Sequence, residues 1–226
     1  MSRYTLLAAA ILTLSLAVAC DDGNGDGDGT PAATQAEGPA LPEQAPGTFA
    51  ENCVKSDEKQ FAEAPLLIID TAKSYRATIT LAKGGGIVVD LFSDVPITTN
   101  NFVFLACKGF YDGLTFHRVL PDFVAQGGDP TGQGAGGPGY AIPDEPDGDH
   151  QMVAGAISMA KSGPDTTGSQ FFVTYTDQFG LDPDFTVFGQ LVEGMDVLES
   201  ITPRDPQTNP DAPPGDAIAT VTITEE

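Results

Sequence analysis

The sequence predicts a mainly β domain that closes into a barrel, with two α-helices capping its open ends. Three features point that way. Between about residues 73 and 225 eight short apolar runs of strand character follow one another, and only two stretches of that span carry a helical pattern. The span is roughly 150 residues long, the size of one domain. Many short strands with so few helices bury their apolar faces best when a sheet curls on itself. No internal repeat is visible.

Taken in order, 75–81 and 87–92 are two strand-like runs around Gly84-Gly85-Gly86 and read as a hairpin. Ser93 or Asp94 then suits a helix N-cap, with Pro96 in the first turn. That helix turns Ile97, Phe102, Val103, Leu105 and Ala106 inward and stops by Gly109. Further strands are expected at 115–120, 123–126, 156–160, 171–174, 185–190 and 217–224, and a second short helix at 195–201.

Upstream of the domain the chain reads in three parts. Met1-Ser2-Arg3 carries a positive charge, 6–18 is an apolar run, and Ala17-Val18-Ala19 precedes Cys20. These are the parts of a secretory signal peptide over 1–19, and the run is shorter than the ~20 apolar residues of a membrane span. Leu16-Ala17-Val18-Ala19-Cys20 resembles a bacterial lipobox, which implies that Cys20 becomes the acylated first residue of an exported lipoprotein on the outer face of a cell membrane. Residues 20–47 are Gly, Pro, Ala, Asp and Glu with almost no large apolar side chain, so they read as a flexible tether. Residues 48–72, with Phe61 and Leu66-Leu67-Ile68-Ile69, read as an extension packed on the domain that occupies 73–226.

Charge and motif content exclude several functions. The formal net charge is −22, a surface that repels nucleic-acid phosphates and anionic headgroups, so membrane attachment is expected through the lipid alone. Asp22, Asn24, Asp26 and Gly27 copy the start of a calcium loop, but Ala33 stands where its bidentate Glu belongs. His117 and His150 lack partners at metal-ligand spacing, and no Walker loop, dinucleotide fingerprint or G-x-S-x-G elbow is present; no metal or cofactor is expected. Cys53 and Cys107 either pair or remain thiols, and their spacing decides neither. A monomer is expected.

What remains is the stretch Phe116-His117-Arg118-Val119-Leu120-Pro121-Asp122-Phe123-Val124-Ala125-Gln126-Gly127-Gly128-Asp129. It sets one cation, one amide and several apolar side chains on two short strands. With period-two alternation Phe116 and Arg118 share a face of the first, and Val124 and Gln126 a face of the second. In Gly168-Ser169-Gln170-Phe171-Phe172-Val173 one phenylalanine can face the core and the other look outward.

This stretch resembles the cyclophilin signature at every fixed position. Gly132-x-Gly134-x-Gly136-Gly137-Pro138-Gly139-Tyr140, Ser158-Met159-Ala160-Lys161, Gly168-Ser169-Gln170-Phe171-Phe172 and Val187-Phe188-Gly189 continue the likeness over about 73–225. The resemblance implies a closed eight-stranded antiparallel barrel and peptidyl-prolyl cis/trans isomerase activity on proline-containing peptides and folding clients. It implies Arg118, Gln126 and Phe123 as catalytic residues, and Val124, Ala160, Phe172, Leu181 and Phe185 as substrate-binding ones with the backbone near Lys161; Phe116, on the face of Arg118 by alternation, and Lys161 are expected to join the substrate-binding set. The alternative is a non-catalytic module that grips proline-containing partners. His117 reads as a buried, hydrogen-bonded structural imidazole, and Asp129 as loop geometry. Three positions depart from the family. Gly180 stands where a Trp is frequent, with Phe179 one residue away and able to take its place after a small shift; Phe185 replaces a common His, and Lys161 a common Asn. The missing Trp commonly contacts cyclosporin, so tight binding of that drug is not expected.

Overall fold

The structure, a computed structural model, describes residues 38–56, 58–145, 150–182 and 184–226. The signal segment, Cys20 and the calcium-loop look-alike lie outside them. In chain order the elements are α1 (Phe49–Asn52), β1 (Tyr75–Leu81), β2 (Gly86–Leu91), α2 (Pro96–Cys107), β3 (Arg118–Leu120), β4 (Val124–Gly127), β5 (Ala156–Met159), β6 (Phe171–Thr174), a 3-10 turn (Phe179–Leu181), β7 (Val187–Glu193), α3 (Met195–Glu199) and β8 (Ile218–Glu225). Three α-helices are therefore present among the described residues where two were expected. The third, α1, is a single turn closed by a capping box between Thr48 and Glu51.

The eight strands form one antiparallel sheet in the order β3-β4-β6-β5-β7-β2-β1-β8. β1 and β2 form the hairpin, in which Tyr75 faces Leu91 and Thr80 faces Gly86, and Gly84 and Gly85 take positive φ in the turn. The expected closure is corrected. Among the described residues no strand ladder joins the two ends of the sheet, and they meet only at an isolated bridge between Thr115 and Ala217. Backbone bonds from Phe116 N to Asp216 O (2.9 Å) and from Gly113 N to Ile218 O (2.8 Å) flank that bridge. The cause lies in β3, which is three residues long and has its free edge taken by the 202–216 loop. Val119 N donates to Arg204 O at 2.6 Å, Arg204 N donates to Val119 O at 2.9 Å, and the Arg204 guanidinium donates to the His117 carbonyl.

The main core lies inside the curl. Phe102, Phe110, Tyr111, Phe116, Phe171 and Phe188 are fully buried there, and Phe102 meets Phe171 edge-on with ring centres 5.5 Å apart. α2 buries nearly all of its length, with sheet on one side and the extension on the other. Neither Ser93 nor Asp94 caps it, contrary to expectation: Asp94 takes His150 Nε2 at 2.9 Å instead. The cap comes from Glu145, far along the chain, whose buried carboxylate accepts from Ile97 N (2.9 Å) and Thr98 N (2.6 Å).

The extension packs on α2. Leu67, Ile68 and Ile69 are buried in the main core. Asn100 Oδ1 accepts from Ile68 N at 2.7 Å and Asn100 Nδ2 donates to Leu66 O at 3.0 Å, which satisfies a buried amide on the helix. Cys53 and Cys107 are joined in a disulfide, Cα atoms 4.6 Å apart.

Candidate active site

Register builds the site. Arg118 on β3 stands opposite Gln126 on β4, Gln126 opposite Phe172 on β6, and Phe172 opposite Ser158 on β5. Residues directly opposite one another share a face of the sheet, so these four form one lateral row. The next row along, Val119, Ala125, Val173 and Ile157, belongs to the main core. Alternation therefore sends the first row outward. There a second, smaller apolar cluster forms from Val124, Met152, Ala156, Phe172 and Val187, ringed by the partly buried Phe92, Phe123, Ala160, Leu181 and Phe185.

The turn between β3 and β4 aims the cation. Asp122 adopts positive φ (62°), a conformation that Asp tolerates better than most residues. Phe123 N donates back to Leu120 O at 3.1 Å. Phe123 thereby sits beneath Arg118, whose guanidinium carbon lies 5.8 Å from the ring centre. Arg118 Nε is buried and has no hydrogen-bond partner among the described residues. Among the described residues no carboxylate forms an ion pair with its guanidinium.

Gln126 is held differently. Its Nε2 donates to Gln170 Oε1 at 3.0 Å, and Gln170 Nε2 donates to the carbonyls of Gly134 (3.1 Å) and Gly136 (2.9 Å). A groove of about 440 Å³ runs beside them, lined by Gln126, Gln170, Ala160, Lys161, Thr166 and the 134–138 loop. Asp129 shapes that loop, accepting from Thr131 N (2.7 Å), Gln133 N (2.9 Å) and Gly134 N. Burial alone would raise its carboxyl, but the donors of Thr131, Gly134 and Gly136 outweigh burial and hold it below its ordinary value.

Arg118, Gln126, Phe123, Val124, Ala160, Phe172, Leu181 and Phe185 thus converge. Phe116 does not. It precedes β3, is fully buried in the main core and packs edge-on against Phe171 at 6.0 Å, so it is removed from the substrate-binding set. Lys161 sits on the rim with its ammonium 2.6 Å from Asp144 Oδ2 and 5.9 Å from the Phe185 ring centre. Phe179 does not substitute for the family's Trp: it is 52% exposed and stands outside the cluster, while Gly180 faces open space. His117 is buried, but among the described residues neither ring nitrogen has a hydrogen-bond partner, so the hydrogen-bonded imidazole expected from sequence is corrected. Met152, Ala156 and Val187 of the floor and the orienting role of Gln170 were not foreseen. Gln170 and Val187 stood in quoted motifs that could have revealed them; Met152 and Ala156 did not.

Ser158 of the row and Ser169, next to Gln170, are buried and donate to the carbonyls of Thr186 and Gly128 at 2.7 Å each. An apolar slot, a fixed amide and a cation with a spare donor thus stand side by side on one face of the sheet. Comparison with known proteins gives the kind of site this is. The sequence model of the family described as "Cyclophilin type peptidyl-prolyl cis-trans isomerase/CLD" matches residues 76–223. The chain is 48% identical over 127 residues to peptidyl-prolyl cis-trans isomerase B of Bacillus subtilis, covering 55% of this chain and 89% of that one. It is 48% identical over 140 residues to a peptidyl-prolyl cis-trans isomerase of Helicobacter pylori, covering 60% and 85%. A crystal structure of a cyclophilin-type isomerase of Cryptosporidium parvum superposes with a TM-score of 0.60 at 30% identity, covering 68% of this chain and 99% of that one. The same protein in the presence of the dipeptide Ala-Pro gives 0.59 at 31% identity, covering 67% and 99%. The chain belongs to the cyclophilin-type peptidyl-prolyl cis-trans isomerase family, and it is an enzyme of that activity.

Proposed function

We propose that the domain accelerates rotation about X–Pro bonds by binding the twisted bond more tightly than the planar one. Rotation sacrifices amide resonance, a barrier of about 18–20 kcal/mol. Out of plane, the prolyl nitrogen gains a lone pair, and Arg118 donates a hydrogen bond to it. A contact that strengthens only in the transition state lowers the barrier. Phe123, Val124, Phe172 and Leu181 hold the pyrrolidine ring, with Ala160 and Phe185 at its sides. Gln126 and the backbone at Lys161 hold the chain before the proline while its carbonyl swings.

The observation that carries this reading is the buried Nε of Arg118, left without a partner beside an apolar slot. A buried donor is costly until something accepts from it. The Ala-Pro dipeptide named with the Cryptosporidium relative supports a proline-sized ligand. Arg118→Ala is expected to lower kcat/KM on a proline tetrapeptide by about 10²- to 10³-fold, with circular dichroism and Tm unchanged. Wild-type turnover in that variant overturns the role given to Arg118.

The substrates on this reading are proline-containing segments of exported proteins during folding. The enzyme works as a monomer on the outer face of a bacterial membrane, attached by acyl chains on Cys20. Cys20→Ser should move the protein from the membrane fraction to the soluble fraction; an unchanged distribution rules out that anchor.

A further inference from the structure

The family match begins at residue 76, yet residues upstream of it touch the wall of the active site. We propose that the extension is part of the working enzyme, with Gln60 and Phe61 as positioning residues that hold the 134–140 loop and, through Gln170, the amide of Gln126. The inference rests on the reading of Gln126 as a substrate-holding residue.

The relay is short. Gln126 takes its orientation from Gln170, and Gln170 from the carbonyls of Gly134 and Gly136. Where those carbonyls stand decides where the Gln126 amide points. The loop that carries them is poorly suited to hold itself. Residues 132–139 include five glycines, the residue type that loses most backbone freedom on ordering. The loop also stands between two open spaces: the groove of about 440 Å³ on the Gln126 side, and another of about 610 Å³ behind it, lined by Gln60, Pro130, Thr131 and Tyr140.

Asp129 fixes the upstream half, and the Tyr140 hydroxyl donates to Asn101 Oδ1 (2.7 Å) beyond the downstream end. Between them the extension supplies the contacts. Gln60 Nε2 donates to Gly137 O at 2.8 Å, and Phe61 N donates to Pro138 O at 2.7 Å. The approach is close enough that a Cβ on Gly139, whose φ is +100°, would stand 2.6 Å from Phe61 O. The extension in turn is pinned to the domain. The Phe61 ring lies 5.2 Å from Phe104 and 6.4 Å from both Phe110 and Tyr140. The Lys59 ammonium donates to the carbonyls of Gly109 (2.7 Å) and Phe110 (2.6 Å), and Ser56 N donates to Lys108 O at 3.1 Å.

The test is a double-mutant cycle in the full chain, read as kcat and KM on a proline tetrapeptide, with Tm alongside. Gln60 is exposed, so Gln60→Ala should fold normally. It is expected to lower kcat/KM about three- to ten-fold at unchanged Tm, and Phe61→Ala at least as much. In a Gln126→Ala background Gln60→Ala should add little further loss, because both act on one contact. Full activity in Gln60→Ala and Phe61→Ala, with Gln126→Ala impaired, overturns the brace alone. Losses that simply add on Gln126→Ala overturn it too. An inert Gln126→Ala removes Gln126 from the site, and this inference with it.

Discussion

His117 separates what alternation can foresee from what it cannot. Its place beside Arg118 in the motif is plain in the sequence, and burial was expected. That its ring nitrogens lack partners among the described residues was not, because the residues around it come from distant loops: a Cβ on Gly134 would stand 3.8 Å from Nε2, and Arg204 bonds its carbonyl. Burial is the main cause that lowers its pKa; Asp129 opposes the shift, and Arg204 and Arg118 add to it. The unfolded chain therefore takes up a proton near the ordinary value of about 6.5 while the folded one resists. Stability should fall as pH drops from about 7 toward 5, above the range in which carboxylates such as Asp129 protonate. Thermal melts across that range check this, and His117→Phe should flatten the dependence. Phe116 was misread for a related reason. Alternation was extended back past the start of β3, and the chain does not run as a strand there.

The elements were legible where they carry their own apolar period and illegible where a remote residue completes them. The hairpin of β1 and β2 and the helix α2 follow from local pattern. The cap of α2 does not, since Glu145 reaches it from across the fold and the nearer candidates are engaged elsewhere or unused. Glu145→Ala leaves two buried amides without acceptors and should destabilise the protein by about 1–3 kcal/mol. Glu145→Gln, which keeps one acceptor, should cost less. Urea midpoints for the pair test the assignment, and equal midpoints for Glu145→Ala and wild type would contradict it. The site divides the same way: its outward row follows from the strands β3, β4 and β6, whereas Met152 comes from a stretch with no period to read.

At the scale of the whole molecule, the extension and helix α2 are joined by a covalent link between residues 54 positions apart. Closing a loop of that length restricts the unfolded chain by about 4 kcal/mol in the loop-entropy account. Replacing both Cys53 and Cys107 with Ser should lower the unfolding free energy by up to about that amount; an unchanged urea midpoint would mean that the bond does little. The seam of the curl has another consequence. A prolyl isomerase spends its working life against extended polypeptide, and an exposed strand edge would invite that polypeptide to add on as a further strand. Because Arg204 already occupies the rim of β3, the strand that bears Arg118 offers no such template. A substrate can enter the slot without being zipped into the sheet.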